Sequence, residues 1–448
     1  MKSSINIYTN ARTIRQKLAS MGKSTTLLER DMTIEEFEKR AQLFKGRHFL
    51  DEDSRHILLK EAADFEEFSL LKIERDFLRF IKSSPSLLRF FEELSKEKVT
   101  FASLNSADTY AEYEHHLTIL ERLYERYLVI LEHNSAVDAI NAPLIYTINS
   151  AYLNSLSSIA LYFDGYMTRY EIALFEKIAQ ETNVTLYFST SGYTHKMHER
   201  FSGFSLEPWN HYELSLTNKK TVACKNYQSS YAIKNYESPS RLLQVASIKL
   251  AIEELIADGC HPDNIAVVLP DEKFVPYLKY FDYEKNFNYA MGGSFKETIL
   301  FQTLQAIYLY RSEQNSENFL RLKRFMLEEK TLLHEWHHIY SSAMFVETMK
   351  HFESRLKIDE ERFRFLELLH QFEKLDRVLE GYTFSELFHL FLTRLSEVSL
   401  ESVGGGKITV MGLLETRGVS FDGVIVVDFN EGFAPKMSNK DLYLNSAI

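Results

Sequence analysis

Hydrophobic positions along the chain alternate between two spacings. "SINIYTN" at residues 4–10 reads as a short strand, and "ARTIRQKLASM" after it spaces Ile14 and Leu18 as a helix does. "TIEEFEKRAQLF" opens with Thr33 and has Glu36 three positions on, the signature of a reciprocal helix cap. From there to about residue 135 the pattern is helical and highly charged. "EFSLLKIERDFLRFIKSS" and "YAEYEHHLTILERLYERYLVILEHN" both carry apolar residues every three or four positions. The period then changes. "SSIALYFDGY" is a compact apolar run, "MTRYEIALFEKIAQETN" an amphipathic helix and "VTLYFSTS" a second strand, a succession that predicts a parallel βαβ unit.

A polar, irregular stretch covers about 190–235. Beyond it "SRLLQVASIKLAIEELIADG" predicts a helix ending at Gly259, "CHPDN" a turn and "IAVVLPD" a buried strand. A second helical block fills about 300–400. "KITVMGL" and "GVIVVDF" then read as strands around a loop, with Gly404 to Gly406 marking the exit from the helical block. The layout is strand, helical insert, sheet, twice over. It predicts an α/β protein with two parallel-sheet domains, residues 1–50 with 140–215 and residues 216–300 with 401–448. The inserts are 51–139 and 301–400.

Composition narrows the class. With 448 residues, 45% of them hydrophobic, and 33 Phe and 25 Tyr, the chain can bury several cores. No apolar run approaches the length of a membrane span, and "MKSSINIYTN" lacks the apolar centre of a signal peptide, so a cytoplasmic protein is expected. Cys224 and Cys260 are too few for a disulfide framework or a four-cysteine metal site. A net charge of −11 excludes a uniformly basic nucleic-acid footprint but permits a local basic groove.

Four motifs raise chemistry. "SMGKST" at 20–25 contains the Gly-Lys-Ser of a phosphate loop, but the first glycine of G-x-x-x-x-G-K-[ST] is replaced by Lys17, and a helix precedes the motif where a glycine turn should. "FDGY" puts Asp164 at a strand end, where an ATPase would hold Mg²⁺, yet Gly165 stands where the catalytic glutamate should follow. "HEWHH" at 334–338 satisfies the zinc-hydrolase spelling without an evident third ligand, and is expected to be a solvated or partner-facing helix. Pro262, Asp263, Asp271 and Lys273 imitate a metal-dependent nuclease motif, but Asp263 falls in the turn before a single strand. No catalytic residue and no metal ligand is assigned.

The stretch "ITVMGLLETRGVSFDGVIVVDFNEGFAP", residues 408–435, resembles a segment in the second motor domain of UvrD/RecB-like helicases, through Thr409, Glu415, Arg417, Gly418, Phe421, Asp422, Asn430, Glu431, Gly432 and Pro435. Its wording is most similar to the AddB-type subunit of bacterial AddAB helicase–nucleases. "YTNARTIRQKL", "IALYFDGYMTRYEIALFEKIA" and "LLQVASIKLAIEELIADGCHPDNIAVVLPD" resemble other parts of that family in the same order.

The resemblance implies two RecA-like domains, each interrupted by a helical insertion. It implies that a C-terminal nuclease domain with Mg²⁺ and an iron–sulphur cluster lies beyond this chain, and that ATP and Mg²⁺ belong to an AddA-type partner subunit. The chain itself would hold no cofactor. It would be an inactivated, helicase-like scaffold that holds DNA ends or single strands during double-strand break repair and recombination, with no membrane partner. The alternative is an active ATP-dependent helicase with an atypical nucleotide site. In this reading Arg12, Arg15, Thr409, Arg417 and Gly418 contact DNA, and Gly22, Lys23, Ser24 and Asp164 are remnants of a nucleotide site.

Overall fold

The computed structural model describes residues 3–20, 30–107, 114–227, 232–325, 336–375, 378–400 and 406–434. Strand β1 (Ser3–Tyr8) runs into helix α1 (Ala11–Ser20), followed by β2 (Arg30–Thr33) and α2 (Ile34–Ala41). The Thr33 hydroxyl accepts from the Glu36 amide while the Glu36 carboxylate accepts from Thr33, so the cap legible in the sequence forms. The first helical block contributes α3 (Glu52–Ala62), α4 (Phe77–Glu97) and α5 (Glu114–His133). The chain returns through β3 (Leu156–Phe163), α6 (Arg169–Ile178) and β4 (Asn183–Ser189), then β5 (Asn210–Ser215) and β6 (Lys220–Asn226).

These strands form one sheet in the order β6-β5-β4-β3-β1-β2. The four strands from β4 to β2 are parallel, and β5 and β6 add an antiparallel edge. Ile5, Ile7, Ile159, Leu161, Val184 and Leu186 point to one face, where Phe37 of α2 and Leu174, Phe175 and Ile178 of α6 cover them. Side chains on the other face of each strand alternate with them, as a pleated strand requires. Because β6 pairs with β5, the first sheet runs past residue 215 to Asn226.

The second sheet follows α7 (Arg241–Ala257). It contains β7 (Ile265–Leu269), β8 (Phe287–Tyr289) and, after a helical block with α8 (Ile299–Ser312), α9 (Asp359–Lys374) and α10 (Phe384–Glu397), strands β9 (Ile408–Gly412) and β10 (Gly423–Val426). The order is β8-β9-β7-β10, all parallel. All five residues of β7 are buried, as a central parallel strand covered on both faces requires. The molecule is therefore mixed α/β with mostly parallel sheets.

Three local expectations need correction. The segment "EFSLLKIERDFLRFIKSS" is not one helix. A 3₁₀ turn over Glu66–Leu71 ends at Lys72 in the left-handed region, φ 56°, and α4 begins afresh where Asp76 caps the Arg79 amide. The two helical blocks are also not independent, because Phe77 of α4 is buried in the core formed by α8, α9 and α10, with Ile57, Leu78 and Ile81 packed against it. The Phe77 amide donates to the Tyr382 hydroxyl at 3.1 Å, that hydroxyl donates to Asp76 at 2.8 Å, and Arg394 pairs with Asp53. Lastly, Trp336–His338 form a turn rather than a helix, with the indole of Trp336 buried; His334 and Glu335 lie outside the described residues. Among the described residues no helix is long and apolar enough to cross a membrane.

One buried carboxyl stands out. The Oε1 atom of Glu38 on α2 is sealed from solvent without a hydrogen-bond partner. Burial, reinforced by the neighbouring Glu171 carboxylate and eased by Lys96, pushes the Glu38 carboxyl up to about 8.

Candidate functional site at the seam between the sheets

In a phosphate-binding fold the anion sits at the N-terminus of the helix that follows the first strand, where amide groups point outward and the helix dipole is positive. That place here is the β1–α1 turn, Thr9–Asn10. The Asn10 side chain caps α1 by accepting from the Thr13 amide at 2.9 Å. The Gly-Lys-Ser motif follows Ser20, so in sequence it comes after the opposite end of the helix. Gly22, Lys23 and Ser24 themselves lie outside the described residues. Lys17, which replaces the missing glycine, is part of α1; its ammonium pairs with Asp31 at 3.1 Å and lies 5.4 Å from the Tyr8 ring centroid.

The helix N-terminus is occupied by the chain itself. The loop 413–420, which leaves the end of β9, lies across it. The Asn10 side-chain amide donates to the Arg417 carbonyl at 2.8 Å, and Gln16 makes a paired contact with Ser420, donating to its carbonyl at 2.6 Å and accepting from its amide at 3.2 Å. Arg12 donates to the carbonyl of Glu415 at 3.2 Å and to that of Ala290 at 3.1 Å, joining two segments of the second sheet region to α1. Burial draws the Arg12 guanidinium below its ordinary value, an effect opposed by Glu415.

Gly418 is the point of closest approach. Its φ is +69°, and a Cβ there would stand 2.5 Å from Thr13 Oγ1 and 3.5 Å from both Asn10 Nδ2 and Thr9 Oγ1. Only glycine fits that conformation and that gap together. Its amide donates to Asp164 Oδ2 at 2.6 Å, and the Arg417 side chain lies over Gly165, whose missing Cβ would sit 3.7 Å from Arg417 Cδ. Asp164, expected as the remnant of a Mg²⁺ ligand, thus anchors a backbone amide. The "FDG" and "TRG" turns, both at the C-terminal ends of parallel strands, meet each other.

The residues expected to contact DNA separate. Arg12 spends its guanidinium on two backbone carbonyls. Gly418 is packed inside the seam. Thr409 is within β9, paired in register with Ala266 on one side and Asn288 on the other, so its hydroxyl does not share a surface turn with Arg417. Arg15 and Arg417 are exposed. Sequence reading missed Asn10 and Gln16. The strand–Asn–helix junction signalled a cap at Asn10, but nothing local announced partners 400 residues away.

A second cluster closes the strand ends of the second sheet. Arg241, at the start of α7, pairs with Asp271 at 3.2 Å and Asp428 at 2.9 Å, with its guanidinium 5.9 and 5.6 Å from the ring centroids of Phe274 and Phe433. Asp271 also accepts from the Lys273 amide at 3.1 Å, while Asp263 lies beside His261 on the far side of β7. The nuclease-like carboxylates are therefore not brought together. Among the described residues no group of three His, Cys, Asp or Glu side chains could hold a metal ion.

Arg12→Ala leaves two carbonyls at the seam without their donor, and is expected to lower stability by about 1–2 kcal/mol. Thermal unfolding checks this; an unchanged melting temperature with weakened DNA binding would return Arg12 to the role of a phosphate contact. Compared with models of known protein families and with curated proteins, the chain matches none.

Proposed function

We propose that the chain is a helicase-like scaffold of two RecA-like halves that holds DNA without hydrolysing a nucleotide, as part of an AddAB-type helicase–nuclease. The observation that carries this reading is the occupation of the α1 N-terminus by Gly418 and its neighbours. The place where a phosphate would enter is filled by the backbone of the same chain, and the surrounding polar side chains are satisfied by that backbone. A motor needs its two halves to move with nucleotide state; direct hydrogen bonds across this seam oppose such movement. The resemblance of residues 408–435 to the AddB type supplies the DNA-processing context, with an AddA-type subunit as the motor.

On this reading Arg417 and Arg15 are the groups available to DNA phosphates. Asn10 and Asp164 hold the Arg417 carbonyl and the Gly418 amide, which positions the guanidinium at the surface. Such contacts fix the backbone and carry no sequence information.

Two measurements test the reading. Binding to a forked duplex end across a salt series should weaken steeply as salt rises, and Arg417→Ala should reduce the slope by about one. ATP with Mg²⁺ should neither be turned over nor raise the melting temperature, and Lys23→Ala should change neither result. Turnover that Lys23→Ala abolishes would replace the scaffold by an active motor with an atypical site.

A further inference from the structure

The chain has two tryptophans, and they are treated oppositely. Trp336 is 4% exposed within a core; Trp209 is 43% exposed. Trp209 also has φ +65°, a left-handed conformation that a bulky residue adopts only when its surroundings impose it. Here they do. Its amide donates to the Thr190 carbonyl at 3.1 Å and its carbonyl accepts from the Tyr227 amide at 2.9 Å. The Tyr227 hydroxyl and the Thr190 hydroxyl lock the same turn, donating to the carbonyls of Thr190 and Glu207 at 2.6 Å each. Gly192 lies beneath the indole, where a Cβ would be 3.4 Å from Cζ2. A strained backbone that is so fully fastened, and that serves to present a large ring to solvent, is an outlier that asks for a function.

The ring does not stand alone. Tyr193, 88% exposed, meets Trp209 edge to face with centroids 6.2 Å apart. On the other side Tyr227 approaches Trp209 at 6.2 Å and stacks on His211 at 4.3 Å and 23°. Lys225 is directly opposite His211 in the β5–β6 ladder, so the two share a sheet face with Tyr227. The hairpin and edge strand from Lys219 to Asn226 carry three lysines and no carboxylate, in a chain whose net charge is −11, and β6 is exposed along its whole length. Glu213, on the same face of β5 as His211, is opposite Tyr187 and accepts from its hydroxyl at 3.4 Å.

We propose that Tyr193, Trp209 and Tyr227 form a stacking platform for unpaired bases, with the lysines of the β6 edge holding the phosphates of the same single strand. Flat ring faces suit bases that have left the duplex, since every unpaired base offers a π-face whatever its sequence. Duplex bases offer only their edges. A protein partner fits less well, because lysine is depleted where protein interfaces are buried, and lysine dominates this edge. The proposal rests on the scaffold reading and locates a single-strand contact at the outer edge of the first sheet, away from the seam.

The test uses the 448-residue chain and an oligothymidylate of about twelve nucleotides, within the range of site sizes for stacking modules. Binding should quench the fluorescence of Trp209 and weaken with salt. Trp209→Gly removes the ring while relieving the positive φ, so it does not threaten the fold, and Tyr193→Ala changes a side chain that touches little else. Each is expected to weaken oligothymidylate binding about tenfold, and Lys225→Ala is expected to flatten the salt dependence. Oligothymidylate affinity unchanged in both ring variants overturns the platform; if the forked duplex still binds in that case, the scaffold reading survives it. Failure of both DNA probes at low salt overturns both. Concentration-dependent protection of Trp209 from iodide, without quenching by oligothymidylate, overturns the proposal in favour of a second copy of the chain on this face.

Discussion

Gly418→Ala is expected to uncouple the 413–420 loop from α1 and to cost about 2–3 kcal/mol. Two penalties coincide at this position. Alanine is strained at φ +69°, and its methyl would meet Thr13 Oγ1 at 2.5 Å. Thr13 cannot swing aside without loss, because its hydroxyl donates to Asn10 Oδ1 at 3.1 Å, the same oxygen that caps the helix. The loop must therefore lift, and lifting breaks the Gly418–Asp164, Asn10–Arg417 and Gln16–Ser420 contacts together. Hydrogen exchange at the amides of Thr13, Gly418 and Ser420 should rise far more than exchange within β7. Asp164→Asn, which leaves an acceptor in place but removes its charge, should give a smaller change of the same pattern. A uniform rise across both sheets would mean that the seam carries little of the coupling assigned to it.

The second large effect is set by pH. Glu38 is held up to about 8 in the folded chain, whereas an unfolded glutamate ionises near its ordinary value of 4.5. Below that value both states are neutral and no difference arises. As pH rises the unfolded state ionises first, so Glu38 progressively withdraws stability until the folded carboxyl also ionises near 8. Glu38→Gln keeps the shape and removes the charge. It is expected to match the parent at pH 4 and to exceed it by roughly 2–4 kcal/mol at pH 8. Paired urea titrations at the two pH values decide it, since every other titrating group cancels in the difference. A gap that does not widen with pH would mean that the α2–α6 contact solvates the ionised form.

Much of the framework was legible because its signals are local. The cap at Thr33, the compact apolar run that became β3 and the all-apolar β7 each follow from a few consecutive residues. What escaped was decided at long range. The shared core of the helical blocks depends on Phe77 meeting partners more than 200 residues later, and its apolar character is compatible with any core. Arg12 was expected to reach phosphates from the first helix; the two carbonyls it binds leave no mark in a sequence. Thr409 lies in the strand that "KITVMGL" predicted, but that its two neighbours there would be Ala266 and Asn288 could not be read locally. Trp209 was invisible as a site, since its exposure and its φ are properties of the turn rather than of the residue type.

The seam also bears on the order in which the molecule can assemble. β1 is an interior strand, and its neighbour β3 is made only after the first helical block. α1 waits longer still, since Asn10, Arg12 and Gln16 bind residues 403 to 407 positions further along the chain. Contacts of such sequence separation form late, because the entropy of closing the intervening loop must be met first. During folding α1 is thus among the last of these elements to find its partners. Until β9 and its loop arrive, the side-chain donors that Asn10, Arg12 and Gln16 turn to that loop have only water to bond.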